Sequence, residues 1–79
     1  MPRESQRRLL NSDEIAGVMN MIKHMASTPE LGGIKISPLI GWTAENYDME
    51  LAASDVRLIY TLATNYEMQV EAGLIKAGE

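Results

Sequence analysis

Along the chain, Ile15, Val18, Met19, Ile22, Met25 and Ala26 fall on one side of a 3.6-residue period, with polar residues between them. That stripe predicts an amphipathic helix over residues 11–27. Its start is marked by "NSDE": Asn11 as N-cap and Glu14 three residues on form a capping box, and Leu10 and Ile15 flank it as a hydrophobic staple. Asp13 and Glu14 lie in the first turn, where the helix dipole favours negative charge. Pro29 ends the helix by Thr28, because the residue before a proline is pushed out of the α region.

The next stretch, "STPELGGIKISPLIGWT", is broken by prolines and glycines. Thr28-Pro29-Glu30 can cap one short turn that Gly32 stops. Ile34 and Ile36 alternate across Lys35 as in a short extended piece, and Ser37-Pro38 opens one further turn through Ile40. An ordered loop is expected here, with Ile34, Ile36, Leu39, Ile40 and Trp42 folded under the helices. From Thr43, a suitable N-cap, to Lys76 there is no proline and only one glycine, so the remainder reads as helix. Its stripe from residue 56 onward is Val56, Ile59, Leu62, Ala63, Tyr66, Val70, Leu74 and Ala77.

The expected fold class is therefore all-α: a small helical hairpin or bundle with an ordered Gly/Pro loop. One long N-terminal helix packs antiparallel to one long or broken C-terminal helix. Two helices bury little, so dimerisation or a partner is expected to complete the core. Residues 1–9 are expected to form a flexible basic arm and residues 10–79 a single domain.

Composition narrows the chemistry. With 79 residues there is room for one core. The absence of cysteine excludes disulfides and zinc–thiolate sites and fits a reducing compartment. No apolar run approaches 18 residues, and "MPRESQRRLL" is no secretory signal, so a cytoplasmic location is expected. Charge is unevenly placed. Residues 1–10 carry Arg3, Arg7 and Arg8 against Glu4, whereas residues 11–79 carry four basic and ten acidic side chains. A body of that sign repels phosphate backbones and suits a basic protein surface.

The most acidic segment is "ENYDMELAASD", with Glu45, Asp48, Glu50 and Asp55 and no basic residue. On one continuous helix, Glu45, Asp48, Ala52 and Asp55 align with Ile59, Ala63, Tyr66 and Val70, so one face would run from acidic to apolar. Two readings stay open. Either the helix breaks near Ala53, with Ser54 capping a new helix and Asp55 in its first turn, or it continues and presents its carboxylates to something basic.

His24, the one histidine, lies off the apolar stripe and reads as solvent-exposed. Asp48 and Glu50 lack the glycine and the regular oxygen ligands of a calcium loop, and "ELGGIKIS" is not a phosphate loop. No nucleophile–base pair can be assigned, so neither enzymatic activity nor a cofactor is expected. Trp42 reads as a core plug or a binding hot spot, and Met21 as an exposed, adaptable contact. Ala52, Ala63, Gly73 and Ala77 permit close helix approach, within the chain or across a homodimer seam.

These features describe a small acidic protein-binding module acting by surface occlusion. Glu45, Asp48, Glu50 and Asp55 would be its contact charges, and Trp42, Tyr47 and Met21 its apolar anchors. Inhibitors of nucleic-acid-handling proteins, such as phage anti-defence and anti-CRISPR proteins, offer an analogy of size and charge. One alternative is a self-assembling subunit. Another is a small DNA-binding regulator with the outline of a helix-turn-helix and an N-terminal arginine arm, although its recognition segment "TAENYDMEL" has the wrong sign for phosphates.

Overall fold

A computed structural model describes residues 9–79. The basic arm expected over residues 1–9 lies, apart from Leu9, outside them. The described chain is all-α, with three helices: α1 (Ser12–Ala26), α2 (Ile36–Asn46) and α3 (Ala53–Glu71), and a 3-10 turn at Pro29–Leu31.

The start of α1 follows the capping-box prediction. The Glu14 amide donates to Asn11 Oδ1 at 2.9 Å, and the Asn11 amide donates to Glu14 Oε1 at 3.0 Å. The cap satisfies two donors that a helix N-terminus otherwise leaves without intrahelical partners. At the other end, the Thr28 hydroxyl donates to the His24 carbonyl at 2.7 Å. The 3-10 turn then closes on Gly32, whose φ of 74° is costly for a residue with a β-carbon.

The segment expected to be a loop contains α2, which corrects that expectation. Pro38 is the third residue of α2, within the first turn, where an amide has no intrahelical partner, so it does not disrupt the helix. Thr43 is correspondingly not an N-cap. It lies inside α2, fully buried, with its hydroxyl donated to the Leu39 carbonyl at 2.8 Å.

The break in the C-terminal half is present, but it begins earlier than expected. α2 ends at Asn46, and Asp48 takes a positive φ of 49°. The Met49 amide bonds to the Ala44 carbonyl and the Asp48 amide to the Glu45 carbonyl, the two bonds of a Schellman motif. Ala52, not Ser54, caps α3, with Asp55 still in the first turn. α3 ends in the same motif, with Gly73 at φ 77° and the Leu74 amide on the Gln69 carbonyl.

Each pair of helices is in contact. Ile22 of α1, Leu39 of α2 and Ile59 of α3 have no exposed surface and form the centre of the core with Val18 and Thr43. α2 thus closes within one chain a core that two helices would have left open.

Candidate functional site

The structure disperses the acidic stretch. Glu45 stands exposed on the last turn of α2, and Glu50 is exposed in the connection to α3. Asp48, half-buried, occupies the left-handed position between them, which Asp tolerates better than most residues. Asp55 is only 3% exposed. Its Oδ1 accepts the Leu10 amide at 3.4 Å, so this carboxylate tethers the chain ahead of α1 to the first turn of α3. Asp55 is therefore no surface contact charge, and only Glu45 and Glu50 of the four are exposed.

The expected apolar anchors also turn inward. Trp42 and Tyr47 are half-buried and meet edge to face, with ring centroids 6.0 Å apart. The end of the Tyr47 ring rests on Gly17 of α1, where an added β-carbon would overlap its hydroxyl. Met21 is half-buried and packs against the core, so it is not the exposed contact expected of it. Leu74, expected on the buried stripe, is 74% exposed beyond the end of α3. His24 is exposed as expected. Among the described residues, no three His, Asp or Glu side chains are grouped as metal ligands would be. None of their helices is long and apolar enough to cross a membrane.

The outward face of α3 has a different character. Tyr60 and Met68 are large apolar side chains left 57% and 60% exposed. Thr64, Glu67 and Glu71 share that side of the helix and are exposed as well. Beside them runs a groove of about 290 Å³ between α3 and the segment leading into α2, with Ile34 and Ile36 in its wall. A second groove, about 330 Å³, lies on the other side of Glu67 and Glu71 and is lined by Ile34, Tyr66 and Val70. Two carboxylates one helical turn apart thus divide two partly apolar depressions. Neither is in an ion pair among the described residues. No known protein family, curated protein or solved structure matches this chain.

Sequence reasoning did not single out this face. The available signal was that Tyr60 and Met68 lie off the apolar stripe, so a helix packed by that stripe must expose them. The groove itself was out of reach, because it depends on where Ile34 and Ile36 sit relative to α3.

Proposed function

We propose that this is a cytoplasmic, non-enzymatic protein-binding module that works by covering part of a partner's surface, with the outward face of α3 as its contact. The observation that carries this reading is the exposure of Tyr60 and Met68 beside two grooves parted by Glu67 and Glu71. Exposed aromatic and methionine side chains around a depression are typical of protein interfaces, where Tyr and Met are enriched. The paired carboxylates ask for cationic groups opposite. A protein surface built to hold nucleic acid offers such groups, which keeps inhibition of a nucleic-acid-handling protein, in the manner of a phage anti-defence factor, as the leading role. A DNA-binding role is disfavoured, because the only cation on α3 is Arg57, against Asp55, Glu67 and Glu71. Self-assembly is the second reading, and the placement of Arg57 favours it.

Affinity capture with tagged full-length protein tests the proposal. Tyr60→Ala/Met68→Ala should lose a partner held by the wild type, by tenfold or more in affinity, since truncating interface anchors costs about 2 kcal/mol or more. Glu45→Ala/Glu50→Ala should retain it. The opposite pattern would return the site to the acidic stretch.

A further inference from the structure

We infer that the outward face of α3 is self-complementary, and that the partner it seats is a second copy of the chain, packed antiparallel about a two-fold axis at Thr64. This rests on reading that face as a protein-binding surface, and it takes up the second reading, self-assembly, in place of a heterologous basic partner on the same face. Arg57 and Glu71 lie seven residues to either side of Thr64, and Tyr60 and Met68 lie four to either side. At about 100° per residue, Arg57 and Glu71 fall within about 20° of the Thr64 direction, and Tyr60 and Met68 within about 40°. All five side chains are exposed.

A two-fold axis at Thr64 reverses the second helix. It sets Arg57 of each copy level with Glu71 of the other, giving two symmetric ion pairs about 10 Å either side of the axis. It also sets Tyr60 level with Met68 twice, on opposite flanks of the seam, so that these apolar side chains cover both sides of the central Thr64 contact. Thr64 meets itself at the centre, and its small side chain suits the 8–10 Å spacing of packed helices. Glu67 falls about 60° from the centre and stays at the rim. Arg57 and Glu71 have no ion-pair partner among the described residues, so both are available. The parallel alternative would stack Arg57 on Arg57 and Glu71 on Glu71, so charge selects the antiparallel arrangement. Such isologous contacts are the commonest way for identical chains to pair.

Sedimentation equilibrium on the full chain tests this with Arg57→Glu, Glu71→Arg and the two combined, each checked for helicity by circular dichroism. The wild type should run as a dimer. Each single reversal should weaken dimerisation tenfold or more, and the combined variant should recover it, because the pair is merely inverted. Since the chain has no cysteine, Thr64→Cys should cross-link to its own symmetry mate under mild oxidation. Arg57→Cys should not, lying about 20 Å from its mate. A wild type that is monomeric throughout, or folded single and combined variants that dimerise equally poorly, would overturn the proposal. A monomer that still needs Tyr60 and Met68 to hold a different protein would overturn the second copy alone and leave the docking face standing.

Discussion

Gly17 sits in the middle of α1, where glycine costs a helix about 1 kcal/mol relative to alanine. Its retention is explained by Tyr47, whose hydroxyl occupies the space a β-carbon would take. Trp42 packs edge to face with the Tyr47 ring, their centroids 6.0 Å apart. Gly17→Ala should therefore destabilise, by about 1–3 kcal/mol, as overpacking does, in spite of its better helix propensity. Removing the hydroxyl with Tyr47→Phe leaves Cζ at 3.3 Å from the added carbon, which is tight but needs only a small shift. In that background the alanine should cost much less. A double-mutant cycle by urea denaturation should show coupling of about 1 kcal/mol or more. An alanine that stabilises in both backgrounds would show that Tyr47 yields freely. Asp55 illustrates the same point at the level of one residue. Composition marks it as an acidic contact charge, whereas the fold uses it to hold the Leu10 backbone.

At the scale of the elements, what was legible depended on whether the signal was local. The capping box of α1 and the apolar stripe behind it are interactions between residues three or four apart, so they can be read from the chain directly. α2 was hidden for a specific reason: its two helix-disfavouring residues, Pro38 and Gly41, sit where they do little harm. Pro38 occupies the first turn and Gly41 is exposed, with nothing within 4 Å of its missing β-carbon. Thr43 looked like a cap because the hydroxyl bond it makes back to Leu39, inside the helix, cannot be told from a cap by residue type. The acidic stretch misled in a similar way. Its carboxylates share a face only on an unbroken helix, and the Schellman turn at Asp48 removes that condition. The last element, residues 72–79, is held back onto the body by Tyr66. Its hydroxyl accepts the Gly78 amide at 2.6 Å and points its own proton at the Lys76 carbonyl at 3.5 Å. Tyr66→Phe leaves the ring buried and removes that tether. It should cost about 1 kcal/mol, and hydrogen exchange should quicken at Gly78 while the α3 amides keep their protection. Unchanged exchange at Gly78 would mean that the tail is held by something else.

For the molecule as a whole, the three-helix core closes within one chain, yet a chain of this length keeps only a modest margin of stability. Any partner that binds the folded form alone adds to that margin by mass action. If the partner is a second copy, the added stability must depend on the protein's own concentration. Above the dissociation constant, each tenfold rise in concentration contributes about 1.4 kcal/mol per dimer, or about 0.7 per chain. In a domain of this size 1 kcal/mol moves the melting midpoint by about 4–8 °C, so Tm should climb by about 3–6 °C per tenfold. Arg57→Glu should flatten that slope, and adding Glu71→Arg should restore it, because neither side chain contributes to the core within a chain. A heterologous partner produces no such slope in the purified protein, so a Tm independent of concentration in the wild type would exclude the antiparallel seam even if Tyr60 and Met68 proved essential for binding something else.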